Sequence, residues 1–207
     1  MLLPQSFYNR PTLQIARDIL GCFLIRKIGQ KKFKFKIVEV EAYNGPNDLA
    51  SHASRGRTKR NSVMFGEPGI IYVYFTYGMY YMLNIVTGKK EYPAAILIRA
   101  LEPIYVIVEG AKRPIESRNS MAFGLKINVN GPARLTKALK IDKSFNSRPI
   151  YTKKYGLWIE SSPTPSLKRS SRFAIVKTTR IGVDYAGKYK DKKWRFYIKG
   201  SKFISKK

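Results

Sequence analysis

Ile37-Val-Glu-Val-Glu-Ala-Tyr43 is the stretch from which the rest of the chain is read. Apolar and charged residues alternate along it, which is the two-residue period of a strand with two faces. Extended back to Phe33, the alternation sends Lys34, Lys36, Val38 and Val40 one way and Phe33, Phe35, Ile37, Glu39, Glu41 and Tyr43 the other. Two acids therefore continue a mostly apolar face toward its end. Either the strand emerges into solvent there, or the acids have work to do. A second stretch, Gly69-Ile-Ile-Tyr-Val-Tyr-Phe-Thr-Tyr-Gly-Met-Tyr-Tyr-Met-Leu-Asn84, crowds five tyrosines into ten positions: Tyr72, Tyr74, Tyr77, Tyr80 and Tyr81. It predicts two strands, 70–76 and 79–87, joined by a hairpin in which Gly78 takes a positive φ. Most tyrosines of such a stripe are packing residues. Tyr77, at the turn, is the exception, since an exposed ring on a rigid ribbon is a wedge able to fill an unstacked base step.

The totals bound what these stretches belong to. A chain of 207 residues with 44% hydrophobic content suits one domain with a real core. Forty Lys and Arg against 13 Asp and Glu leave a net charge of +27. Folding does not need that imbalance, because self-repulsion opposes the compact state, and a polyanion is the natural partner. Nucleic acid is the expected one; no basic amphipathic helix or lipidation signal speaks for a membrane. The single Cys22 and single His52 exclude an intramolecular disulfide, cysteine-based metal sites and a multi-histidine metal site. Cys22 itself reads as a small buried apolar residue. The start, Met1-Leu-Leu-Pro-Gln-Ser6, lacks the features of a signal peptide, and no run approaches the roughly 18 apolar residues of a membrane span. A cytosolic protein that needs no metal or cofactor is expected, nucleoid-associated if the source is prokaryotic.

Around the two stretches the chain is read in order. Residues 11–21 predict a helix with Thr12 as N-cap, Leu13, Ala16 and Leu20 on one face and Gly21 as the stop. Residues 22–28 look extended, and 29–32 look like a turn. Residues 44–61 are a loop with turn residues and four cations, Arg55, Arg57, Lys59 and Arg60, which suit either a solvated face or phosphates. Residues 94–100 form an apolar strand whose one charge, Arg99, calls for an acid partner; Glu41 and Glu39 are the candidates. Residues 104–111 are read as helical and 112–126 as weakly patterned. Residues 130–140 predict a helix with Pro near its start and Leu135 and Leu139 four apart. Strands and turns follow, including a turn at 182–187 and a frayed Lys-Lys end. The chain has no internal repeat, phosphate-binding glycine loop or nucleophile elbow.

If the substrate is a base within a duplex, the nucleotide has to be rotated out of the stack before its glycosidic bond is reached. That chemistry asks for a plug, aromatic walls and a group that activates water. Tyr77 suits the plug, Tyr43 with His52 and another tyrosine the walls, and Glu41 the base. In these residues the chain resembles the alkyladenine (3-methyladenine) DNA glycosylases of base-excision repair. The resemblance lies in Val40-Glu-Ala-Tyr43, the Ser51-His52 loop, Met64-Phe65, Pro68-Gly69, Tyr72-Val-Tyr74, Tyr77-Gly-Met-Tyr80, Asn84-Ile85 and Arg99-Ala-Leu-Glu-Pro103. It resumes at Asn130-Gly-Pro-Ala133 and Gly182-Val-Asp-Tyr-Ala-Gly187.

The resemblance implies a general base, Glu41, with Arg99 helping to place the water. It implies that Tyr43 stacks on one face of the flipped base while Tyr74 and His52 line the other, that Tyr77 intercalates, and that Asn84 at the pocket floor excludes guanine by its 2-amino group. It further implies an α+β fold: a single mixed domain over residues 1–207, with a curved, largely antiparallel sheet, flanking helices and a protruding hairpin. The partner implied is double-stranded DNA containing damaged purines. The activity implied is monofunctional, and the enzyme monomeric. Two other readings stay open on the residues alone: a basic RNA- or ribosome-binding module, and a glycosylase-lyase using a lysine.

Overall fold

The computed structural model describes residues 1–108, 115–116, 128–162 and 173–206. In chain order its helices are α1 (Gln5–Tyr8), α2 (Thr12–Asp18) and α3 (Pro132–Ala138). The strands are β1 (Phe23–Ile28), β2 (Lys31–Asn44), β3 (Ile71–Thr76), β4 (Tyr80–Val86) and β5 (Ala94–Val108). Four short ones follow: β6 (Ile115–Glu116), β7 (Leu157–Glu160), β8 (Ile175–Thr178) and β9 (Arg195–Ile198). All nine join one sheet, and every described pairing is antiparallel. The expected α+β class with its antiparallel sheet is what the chain adopts.

The two long strands make the spine. β2 and β5 pair from Lys31↔Val108 to Asn44↔Ala94. The first half of this ribbon is flanked by β1 and β6, the second half by β9 and β4. Between the halves lie two irregularities that offset each other. From Ile37↔Leu101 to Glu39↔Ala100, β2 uses one residue more than β5; from Glu39↔Ala100 to Val40↔Ile98, β5 uses one more than β2. The unpaired residues are Val38 and Arg99. A bulge of this kind turns the following side chains to the other face.

That reversal corrects the alternation read from the sequence. Phe33, Phe35 and Ile37 enter the main core as expected, but beyond Val38 it is Val40 and Ala42 that enter it. Glu39, Glu41 and Tyr43 lie on the opposite face. Nor does the strand end in solvent, because Glu39 and Glu41 are wholly buried. The partner strands keep the same sense: Ile96 and Ile98 of β5, Leu83 and Ile85 of β4, and Ile71 and Val73 of β3 are core, together with Ile15 and Ile19 from the α2 segment and Leu135 and Leu139 from the α3 segment. The residues between them face the cleft described below.

Other expectations need adjusting. α2 starts at Thr12 with Pro11 as N-cap, so Thr12 is not the cap; its buried hydroxyl instead accepts a hydrogen bond from Thr87 Oγ1 at 3.0 Å. Of the expected face Ala16 and Leu20 are core and Leu13 is half-buried against it, while Ile15 and Ile19 join them. Gly21, at φ 78°, ends this segment where an added Cβ would lie 2.8 Å from the ring of Phe173. Residues 104–108 continue β5 rather than forming a helix, because Ile104-Tyr-Val-Ile-Val108 is rich in β-branched and aromatic residues and has β2 to pair with; 109–111 lie outside the described residues, as does most of 112–126. The carboxyl end is tied rather than frayed: the Lys206 carbonyl accepts from Arg195 Nη1 at 3.1 Å, while Lys207 lies outside the described residues. Cys22 is buried, as read. Among the described residues no helix is long and apolar enough to cross a membrane.

Candidate active site

The face of the sheet opposite the core forms the floor of a cleft of about 380 Å³. β3 supplies Tyr72, Tyr74 and Thr76, β4 supplies Met82 and Asn84, and β5 supplies Ala95, Leu97 and Arg99. Each set is spaced by two, as one face of a strand requires. Tyr43 lines the cleft from β2; the 44–61 loop brings His52 and the segment before β9 brings Ile181 and Tyr185. Six of the residues singled out from the sequence, Tyr43, His52, Tyr74, Tyr77, Asn84 and Arg99, therefore border one cleft.

Glu41, the seventh, sits directly behind that wall. Its Oε2 accepts from the Tyr43 hydroxyl at 3.0 Å and lies 3.2 Å from Arg99 Nη1. Its Oε1 accepts from the Ile181 backbone N–H at 2.8 Å. Arg99 also reaches Glu39, Nε to Oε1, at 3.5 Å, so both acids expected as its partners take that role. Burial pushes the Glu41 carboxyl above its usual range, against the pull of Arg99, the Ile181 N–H and the Tyr43 hydroxyl; Glu39 adds a smaller upward push. Three donors around it suit a carboxylate, which only accepts. Tyr43 is held well above the ordinary phenol value by burial and by Glu41, so it remains a donor.

The opposite wall is aromatic. The His52 ring meets Tyr74 edge-on, with centroids 4.5 Å apart and planes at 77°. His52 Nδ1 lies 3.1 Å from the Tyr72 hydroxyl. Desolvation and the nearby Arg60 charge lower the His52 pKa to about 4, which leaves a neutral imidazole. Burial raises Tyr72 to about 12, and moves Tyr74 upward as well. Asn84 is buried and donates its amide to the carbonyls of Tyr72 and Met82 at 3.2 and 3.3 Å.

The β3–β4 hairpin projects beside this cleft. Tyr77 and Gly78 have φ of 52° and 65°, and Met79 N–H donates to Thr76 O at 3.2 Å. A positive φ is costly for tyrosine, yet Tyr77 is 81% exposed. Phe75, Met79 and Tyr80 are exposed beside it, while Tyr72, Tyr74 and Tyr81 pack, as most of the stripe was expected to.

Sequence reasoning missed the supports. Asp48 and Arg180 are both fully buried and pair through two contacts of 2.6 and 2.8 Å. Arg180 also donates to Ala42 O, and its guanidinium lies 4.9 Å from the Tyr43 ring centroid. It thus backs the Tyr43 wall and pins the 44–61 loop. Asn61 holds the same loop by donating to the carbonyls of His52 and Gly56. One signal was available: Asp48 is the single acid among the cations of that loop. Of those cations, Arg57 is paired with Glu91 at 2.9 Å, and Arg60 donates to the Phe75 carbonyl while lying 5.3 Å from the Tyr74 ring centroid. Arg55 and Lys59 are exposed.

Comparison with known proteins places the whole chain. Residues 6–202 match the family model described as methylpurine-DNA glycosylase. A relative from Methanocella arvoryzae is 45% identical over all of this chain and 96% of its own length. Relatives from Carboxydothermus hydrogenoformans, 44% identical over the full length of both chains, and Legionella pneumophila, 41% identical over 99% of this chain and 98% of its own, are equally collinear. All three carry the provisional name 3-methyladenine DNA glycosylase. Matches of this length and identity decide the matter: the chain belongs to the methylpurine-DNA glycosylase family, hydrolases of DNA repair that act on N-glycosyl bonds.

Proposed function

We propose that this chain flips an alkylated or deaminated purine out of duplex DNA and hydrolyses its glycosidic bond with water activated by Glu41. The observation that carries the proposal is the state of Glu41. A carboxylate offers about four lone-pair sites. Arg99 and the Tyr43 hydroxyl engage Oε2, and the Ile181 N–H takes one site on Oε1. Among the described residues no donor takes the second site on Oε1, and we assign it to a water molecule, beside a cleft of about 380 Å³. Glu41 takes the proton as the water oxygen bonds to C1′. The C1′–N bond breaks with its electron pair going to the purine: a cationic alkylated purine leaves as a neutral base, and a neutral deaminated purine leaves as its anion, which takes a proton from solvent. A developing oxocarbenium charge is stabilised by the same carboxylate.

The remaining residues divide the work around that step. Tyr77 fills the gap left in the duplex, and its exposure on a rigid hairpin supports that role. Tyr43 and the His52–Tyr74 pair sandwich the base, and a cationic purine gains about 0.5–2 kcal/mol from such rings. Asn84, whose amide is tied to two carbonyls, rejects guanine by collision with its 2-amino group. No lysine among the described residues lines the cleft, which favours a monofunctional enzyme over a lyase. The +27 charge supports binding to the duplex as one glycosylase domain spanning 1–207, acting as a monomer in the cytoplasm or on the nucleoid.

The test is base release, without added metal, from duplexes carrying hypoxanthine or ethenoadenine and from methylated DNA, with Glu41→Gln in parallel. The expected result is release by the wild type and a loss of about 10²–10⁴-fold in the variant, with lesion binding retained. Tight binding without release by either protein would instead indicate a binding module.

A further inference from the structure

The catalytic scheme uses Glu41 and Arg99 and leaves another wholly buried acid, Glu39, without a task. Glu39 precedes Glu41 by two residues on the same face of β2, and one guanidinium lies between them. Two carboxylates with one cation would leave a net negative charge buried, which is costly. Arg195 of β9, paired opposite Glu41, supplies the second cation through Nη1 to Glu39 Oε1 at 3.1 Å. The end of the chain completes the set. Ser205 donates its backbone N–H to Glu39 Oε2 at 2.6 Å and its hydroxyl to Oε1 at 2.9 Å. The same hydroxyl accepts from Arg99 Nε at 3.4 Å.

We propose that Glu39, clamped by Ser205 and Arg195, is a positioning residue that holds Arg99 side-on to Glu41, which makes the C-terminal segment a working part of the active site. The alternative geometry explains why a clamp is needed. Arginine and carboxylate prefer a two-pronged fork. A forked Arg99 would engage Oε1 as well as Oε2 and take the acceptor site that Glu41 needs for water. Glu39 prevents this by drawing Nε away while Nη1 stays on Oε2. Ser205 sets the strength of that draw, because a carboxylate already satisfied by three donors competes less for Arg99.

The consequence reaches the proton affinity of Glu41. Among the described residues the charged and titratable groups around it are Glu39 and Tyr43 on its own strand, Arg99 on β5, Arg195 on β9, Tyr74 on β3, Tyr185 from the segment before β9, and Arg180, whose charge is paired with Asp48. The tyrosines are held neutral, so Arg99, Arg195 and Glu39 set the balance. In Ser205→Ala, Glu39 loses a donor and draws Arg99 harder, so Glu41 titrates at higher pH. In Glu39→Gln the draw is gone, Arg99 closes on Glu41, and Glu41 titrates at lower pH. Both variants lose rate, for opposite electrostatic reasons.

The inference rests on the function proposed above but is tested partly without it. The experiment follows the Glu41 carboxyl carbon by ¹³C NMR against pH in the full-length free protein, with single-turnover base release and lesion-duplex affinity measured alongside. Expected are opposite shifts of the Glu41 midpoint in the two variants, a rate loss of about tenfold at unchanged affinity, and recovery of both in Ser205→Thr, which keeps the hydroxyl. If Glu39→Gln fails to fold, the Ser205→Ala and Ser205→Thr pair decides alone. A Glu41 midpoint that stays at the wild-type value in Ser205→Ala, or a rate loss that tracks only the folded fraction, overturns the inference. A wild type that releases no base would break the functional proposal while leaving the titration to judge this one.

Discussion

On the near side of Val38, β2 sends Phe33, Phe35 and Ile37 into the core and keeps Lys34 and Lys36 partly exposed; on the far side Val40 and Ala42 are core and Glu39 and Glu41 enter a closed polar network. The near half carries the ion pair Lys36–Glu102 at 2.6 Å, with both side chains about one-third exposed. Such a pair contributes at most about 1 kcal/mol. The far half holds its acids, themselves wholly buried, with two arginines, the Tyr43 and Ser205 hydroxyls and the backbone N–H groups of Ile181 and Ser205. There, removing a single partner strands a charge. One strand therefore passes from ordinary sheet energetics to those of a buried charge network within a few residues, and the paired bulges at Val38 and Arg99 mark the change.

The most severe way to break this contrast is to delete Val38. Without it the residues that follow turn over, and Glu39 and Glu41 are driven toward the core face. Each stranded carboxylate costs about 3–5 kcal/mol, so a deletion variant is expected not to fold at 37 °C by circular dichroism. A folded, active deletion would mean that the bulge does not re-aim the acids. Next in size is Asp48→Asn, which leaves Arg180 buried without its counter-charge and is expected to cost about 3–5 kcal/mol in urea melts. Replacing both partners with apolar residues, as in Asp48→Leu with Arg180→Met, should cost less than the single change.

A finer test is the pH profile of base release. As the proposed base Glu41 has to be ionised, and its pKa is raised, so the rate is expected to fall as pH drops through a midpoint above the ordinary carboxylate range. His52, at about 4, is already neutral there, and His52→Gln should leave that acidic limb where it is. His52 affects stability instead. Between pH 6.5 and about 4 the unfolded chain binds a proton that the folded one refuses, so stability falls as pH drops through that window and levels off below it. His52→Gln should flatten that part of a stability-against-pH curve. The smallest effect belongs to the near half of β2: Lys36→Gln should change stability by no more than about 1 kcal/mol and leave base release unchanged. A large catalytic loss there would erase the distinction between the halves.

How far the sequence could be read follows the same boundary. The β3–β4 hairpin, the exposed Tyr77 and α3 with its Leu135–Leu139 face were legible because each is a local pattern with turn chemistry of its own. So was the pairing of Arg99 with Glu39 and Glu41, since a lone cation in an apolar strand must find an acid. The face borne by Glu39 and Glu41 was misread because alternation was carried through a bulge, and a bulge leaves no mark in Ile-Val-Glu-Val-Glu. The segment 104–108 was misread as helix because its partner, residues 31–34, lies far away in the chain.

By itself the sequence determined most of the strands, the hairpin with its tyrosine tip, the basic character that calls for a polyanion, and the residue types from which the cleft is built. Tertiary structure alone decided that the Ile181 N–H joins Arg99 and Tyr43 on Glu41, and which groups restrain Arg99. The Ile181 N–H comes from 140 residues beyond Glu41, the Arg180 that grips Asp48 from 132 beyond it, and the Ser205 that clamps Glu39 from 166 beyond it. Periodicity and capping act over a few residues. Contacts of that separation exist only because the β2–β5 ribbon folds as it does and brings β9 and the end of the chain against its far half.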